Sequence, residues 1–232
     1  MQEGAVQAAL IPVIEYQRIR DVSLIPDVCV GSKGTVRSVV LVTRMQDLRE
    51  VRSVALDESS RTSATLMKII FLEFLGIEPK WSASAPNVEL MLRDNDAALV
   101  IGDPAMTFAR DDFRVLDMAS LWREHTGLGF VFAIWAARNK DLSKVADIDF
   151  ASARDEGVEQ IEDIISQYGR EIPLTRNELR EYLTDDVTFH IDESMQQGMQ
   201  LYFDLAYKHR LIEQVKALQF TGSGGSRTER GT

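Results

Sequence analysis

The sequence predicts an α/β protein with a helical C-terminal region. Three observations carry this. From about residue 28 to residue 137, short β-rich apolar runs alternate with segments of helical spacing. From Leu142 onward the spacing is helical, with no strand-like run. The chain has 232 residues, 45% hydrophobic and 27% charged, enough for one large domain or two small lobes with real cores.

Ala8 to Tyr16 reads as a strand interrupted by Pro12, whose missing N–H confines it to a sheet edge or end. Residues 28–43 hold two β-rich runs around Gly31-Ser32-Lys33-Gly34. This is a hairpin in our reading, because the Walker spacing of a phosphate loop is absent. Met45 to Val51 suit a short helix, and Val54 to Leu56 a short buried strand. Ala64 to Leu75 is apolar nearly all round, so a buried helix, with Gly76 as its left-handed stop. Glu78 to Trp81 form a short strand. Asn87 caps a helix reaching Asp94, and Asp96 to Asp103 is a buried parallel strand. Val115 to His125 is helical, and Thr126 to Gly129 stop it. Phe130 to Ala137 is another buried strand. Leu142 to Tyr168 is helical with a break near Gly157, ended by Gly169. Thr175 to Glu178 has capping-box spacing, and Asp192 to Leu211 is a last long helix. Thr221 to Thr232 lacks apolar residues and is expected to be disordered.

The net charge of −10 argues against a general nucleic-acid or anionic-membrane surface. No apolar run approaches the ~18–20 residues of a membrane span, and no signal peptide is visible, so a cytoplasmic protein is expected. Cys29 is the single cysteine, which excludes an intramolecular disulfide and a cysteine metal cluster. Between Val28 and Val30 it reads as a buried, inert thiol. His125, His190 and His209 are scattered, so no metal site is expected.

The chemistry concentrates in Ser59-Ser60-Arg61-Thr62-Ser63, between the strand at 54–56 and the apolar helix. Ser59 or Ser60 is placed to cap that helix. Its remaining first-turn N–H groups and the positive end of its dipole favour an anion. The plainer reading is that these residues merely cap a core helix. Arg61 either offers a planar fork to a carboxylate or pairs with Asp57 or Glu58. Asp103 ends a predicted parallel strand, where ligands gather in open α/β sheets; its alternative role is to cap the turn at 104–108.

Five ordered blocks resemble the chorismate dehydratase family of the futalosine route to menaquinone. They are Leu10 to Tyr16, Gly34 to Val39, Leu56 to Ser63, Ala98 to Met106 and Thr126 to Trp135. The resemblance implies a two-lobed fold like type II periplasmic binding proteins. Residues 1–43 and 131–220 would form one lobe, 44–130 the other, and 221–232 a disordered tail. It implies a lyase that removes water from chorismate, a dicarboxylate, with no cofactor or metal and no nucleic-acid or membrane partner. Ser38, Ser59, Ser60, Arg61, Thr62, Ser63, Thr126 and Gly127 would contact substrate, and Asp103 would assist loss of the hydroxyl or fix a loop. Two departures stand out. Gly129 replaces a proline usual in relatives, which is expected to loosen a turn. A family stretch before the Ile-Pro-Val segment, containing Ser-Tyr-Leu-Asn, has no counterpart here, so weak or no turnover is expected from this chain. The rival expectations are the sister dihydroxynaphthoate synthase of the same route, for which His125 is the basic candidate, and a non-catalytic carboxylate-binding module.

Overall fold

The computed structural model describes residues 5–222. Its strands are β1 (Ala8–Pro12), β2 (Val22–Ser32), β3 (Val39–Thr43), β4 (Ser53–Asp57), β5 (Lys80–Ser84), β6 (Ala97–Ile101), β7 (Arg114–Asp117) and β8 (Phe130–Arg138). Its helices are α1 (Thr62–Ile69), α2 (Val88–Asp94), α3 (Asp103–Thr107), α4 (Met118–Thr126), α5 (Leu142–Val145), α6 (Phe150–Glu159), α7 (Ile161–Tyr168), α8 (Arg176–Glu181) and α9 (Glu193–Lys208). Two sheets organise them. One has the order β1-β8-β2, all antiparallel; the other has the order β5-β4-β6-β3-β7. In the larger sheet β4 runs parallel to β5 and β6, and β3 runs antiparallel to β6 and β7.

Pro12 acts as expected. β1 lies at a sheet edge, ends at Pro12, and gives way to a 3-10 turn over Val13–Gln17. The expected hairpin over 28–43 does not form. β2 pairs with β8, whereas β3 pairs with β6 and β7 in the other sheet. The linker redirects the chain at Arg37, whose φ of 56° is left-handed. β3 (Val39–Thr43) thus lies in the same sheet as β4, β5, β6 and β7.

The helix expected from Met45 is only a 3-10 turn, Leu48–Glu50. Val115 and Leu116, expected in a helix, lie in β7, and α4 begins after Asp117, whose carboxylate accepts from Ser120 N. The C-terminal helices break at Gln160 rather than Gly157. The capping box at Thr175 and Glu178 has both of its hydrogen bonds. Of the predicted disordered tail, residues 223–232 lie outside the described residues. Among the described residues no helix is long and apolar enough to cross a membrane.

One apolar cluster joins the two sheets. It includes Ile14, Tyr16 and Leu24 from the first sheet region, Leu66, Met67 and Phe71 around α1, Leu99 from β6, and Tyr202 and Phe203 from α9. Helix α1 is thus the shared wall between the sheets, as its apolar circumference requires.

Candidate functional site

The carboxyl ends of the parallel strands β4 and β6 lie together, tied by one carboxylate. Asp57, 1% exposed, accepts from Ser59 N at 3.0 Å and Ser59 Oγ at 2.6 Å through one oxygen. Its other oxygen accepts from Ile101 N at 3.3 Å. The β3 start joins the same end, because Gly102 N donates to Ser38 O at 2.7 Å.

The α1 start differs from the sequence reading. Neither Ser59 nor Ser60 caps it. The capping position is Arg61, whose side chain makes no capping hydrogen bond. Ser59 is committed to Asp57 instead, which locks the turn between strand and helix. Ser60, Thr62 and Ser63 are 8%, 4% and 4% exposed. Among the described residues, the N–H groups of Thr62, Ser63 and Ala64 and the hydroxyls of Ser60 and Ser63 meet no protein hydrogen-bond partner. Free donors at a helix start favour an anion in general.

That start is closed. Ile14 N donates to Thr62 Oγ1 at 3.5 Å from the 3-10 turn, and Tyr202 OH donates to Thr62 O at 3.0 Å from α9. Residues 59–63 line none of the five hollows described on the surface. Arg61 pairs with neither Asp57 nor Glu58. It reaches Glu15 at 3.2 Å.

Ser38 is buried at 6% exposure, and its hydroxyl accepts from Tyr182 OH at 2.9 Å. Tyr182 opens a π turn, Tyr182–Asp186, beyond α8. Burial raises its phenol above the ordinary range. The neighbouring Arg37 pairs with Asp186 and with Glu181, so the C-terminal helices clamp the β2–β3 linker. Asp117 fixes that linker from the other side, accepting from Val36 N at 2.9 Å and Arg37 N at 2.7 Å.

Asp103 is exposed, at the first position of α3 after Gly102. It borders a separate hollow with Arg44, Asn87 and Glu89. Thr126 and Gly127 are not brought to the α1 start. The Thr126 hydroxyl donates to Trp122 O and accepts from Leu128 N, closing α4, with Gly127 at φ 72° as the left-handed stop. Next to them His125 stacks on Phe74, with ring centroids 4.4 Å apart. Phe74 ends the π turn that continues α1, roughly 18 Å along the helix from Thr62.

Gly129 does not loosen its turn. Its N–H donates to Ser194 Oγ at 3.1 Å, and its carbonyl accepts from Trp122 Nε1 at 3.2 Å. A Cβ there would lie 2.7 Å from Met195 Cγ. A proline would lack that donor, so α9 packing selects glycine. The sequence reading missed Tyr182 and Asp117. The first lies 144 residues from Ser38 and carries no local signal. The second shows one in retrospect, an Asp directly before an apolar-spaced helix. Cys29 is buried as expected, and burial pushes its thiol up to about 12. Among the described residues no cluster of His, Cys, Asp and Glu stands ready to hold a metal ion.

The chain is 28% identical over 218 residues to the chorismate dehydratase of Thermus thermophilus, covering 86% of this chain and 79% of that protein. Among solved structures, an Archaeoglobus fulgidus protein matches with a TM-score of 0.65 at 17% identity, over 90% of this chain and 81% of that one. The periplasmic aliphatic sulphonate binding protein SsuA of Escherichia coli matches with a TM-score of 0.59 at 14% identity, over 99% of this chain and 84% of that one. A Candida albicans protein described as having the generic periplasmic binding protein fold matches at 0.56 and 11% identity, over 92% and 76%. The fold is that of the periplasmic binding proteins. The menaquinone-biosynthesis family matches residues 1–208, and this chain belongs to it.

Proposed function

We propose that this chain is a chorismate dehydratase of the futalosine route, converting chorismate to 3-[(1-carboxyvinyl)oxy]benzoate and water. The family and the Thermus thermophilus relative support this reading. The observation that carries it is the set of donors at the α1 start that have no protein partner among the described residues, the Ser60 and Ser63 hydroxyls with three backbone N–H groups.

Chorismate bears two carboxylates. In the reaction a hydroxyl leaves one ring carbon, a proton leaves its neighbour, and the ring becomes aromatic. The protein's task is orientation and proton movement. Ser60, Thr62, Ser63 and the helix N–H groups hold one carboxylate. Arg61, tied to Glu15, carries positive charge to the rim of that position. Ser38, held by Tyr182, and Asp103 approach from the β3 and β6 ends. The substrate lies between the two sheets, each the core of a lobe. Entry requires the 3.5 Å contact between Ile14 N and Thr62 Oγ1 to part. The stacked position of His125 against Phe74, away from the α1 start, speaks against the sister synthase, which needs a histidine at the cleft.

The test is incubation of the purified chain with chorismate, following loss of its absorbance and appearance of the product by mass. Ser60→Ala combined with Ser63→Ala is expected to weaken chorismate binding by about 1–3 kcal/mol, roughly five- to 150-fold. Unchanged affinity in that variant removes the α1 assignment. Binding without turnover in the parent chain leaves a non-catalytic carboxylate binder.

A further inference from the structure

A hollow of about 630 Å³ opens between the turn at 18–21 and the segment at 138–140. Its lining is Arg18, Ile19, Arg20, Asp21, Arg138, Asn139 and Lys140, four cations against one carboxylate. This concentration occurs in a chain of net charge −10. Like charges gathered at one place repel, so the arrangement is costly without a counter-charge.

The protein supplies that counter-charge sparingly. Arg18 has Glu15 at 2.7 Å, but Glu15 also serves Arg61. Arg138 has Asp141 at 2.5 Å, but Asp141 also serves Lys144 at 2.8 Å. Among the described residues, the buried Arg138 Nε has no hydrogen-bond partner. Among the described residues, Arg20 and Lys140 meet no acid, and both are exposed at the hollow's edge. The backbone is set to hold this shape. Asp21 has a left-handed φ of 53°, and its carbonyl accepts from Asn139 N at 2.8 Å, joining the two walls.

We propose that this hollow is a second anion site, which takes a small organic phosphate. Guanidinium forks match phosphate oxygens in pairs, and the ammonium of Lys140 adds a compact point charge. A bare phosphate leaves most of the volume empty, whereas the hollow lies within the size range of small-molecule sites. Arg18 shares Glu15 with Arg61 at the α1 start, but Arg20 and Lys140 touch neither, so a test on those two residues does not depend on the proposed dehydration.

The experiment is calorimetric titration of the whole chain with inorganic phosphate and with glycerol 3-phosphate, at constant ionic strength balanced with sodium chloride. Saturable binding is expected for both, tighter for the ester. Arg20→Gln combined with Lys140→Gln is expected to weaken it at least tenfold, with the thermal midpoint in chloride unchanged. Lys80→Gln, an exposed cation on β5, serves as the charge control and is expected to bind like the parent. Absence of saturable binding in the parent overturns the proposal. So does equal affinity in the double variant, or an equal loss in Lys80→Gln, which marks a general charge effect.

Discussion

The Glu15 carboxylate meets Arg61 at 3.2 Å with one oxygen and Arg18 at 2.7 Å with the other. The Glu15 side chain is 9% exposed, and that of Arg61 is 63% exposed. The pair ties the 3-10 turn after β1 to the α1 start. It is the charged part of the contact that closes Thr62 from solvent.

The two halves of this pair have unequal consequences. Glu15→Gln removes the charge that holds two guanidiniums in a mostly buried position, and is expected to cost about 1–3 kcal/mol of stability. Arg61→Gln removes an exposed partner and is expected to cost about 0–1 kcal/mol. Urea unfolding of both single variants and the double variant measures this. A larger loss for Arg61→Gln than for Glu15→Gln contradicts the assignment.

Gly129 and Gly198 face each other where α9 meets the chain entering β8. A Cβ on Gly198 would sit 2.1 Å from Gly129 O, and one on Gly129 would sit 2.7 Å from Met195 Cγ. Gly129→Pro also deletes the N–H that Ser194 accepts. The expected loss is about 2–4 kcal/mol. A thermal midpoint equal to that of the parent chain would show that α9 does not constrain this turn.

Cys29 gives a simple chemical check. Burial pushes its thiol up to about 12, so little thiolate exists near pH 8. Modification by an aromatic disulfide reagent at pH 8 is expected to be at least about tenfold slower in the native protein than in urea. Equal rates would place the thiol in solvent.

Glu73 links the far end of α1 to α9. Hydrogen bonds from Lys208 at 2.8 Å, and then from His209, hold its carboxyl below the usual range. The folded pKa lies below the unfolded one, so this contribution is fully present above the unfolded value of about 4.3. It is lost as pH falls through the folded pKa. Glu73→Gln is therefore expected to lower the urea midpoint at pH 6 and to converge on the parent at acid pH. A gap that widens on acidification reverses the sign.

Much of this architecture is legible in local chemistry. Pro12 fixes an edge, Gly76 and Gly127 fix left-handed stops, and Asn87, Thr175 and Asp192 cap helices by short-range hydrogen bonds. The apolar circumference of residues 64–75 announces a buried helix before any contact is known. The hairpin reading of 28–43 fails because both runs have good strand composition, and composition does not say which sheet a strand joins. The Gly-Ser-Lys-Gly segment looks like a turn within one sheet, but Asp117 and Asp186 hold the residues just after it between two sheets.

The run of hydroxyls before α1 determines by itself that donors gather at a helix start, because capping and dipole act within one turn of chain. Tertiary structure alone decides how those donors are used. It gives Arg61 to Glu15 and Ser38 to Tyr182, and among the described residues it leaves the Ser60 and Ser63 hydroxyls without a protein partner. It also carries Thr126 and Gly127 to the opposite end of α1. Hydrogen bonds and ion pairs act over a few ångströms, and only folding brings residues 15 and 61, or 38 and 182, within that reach.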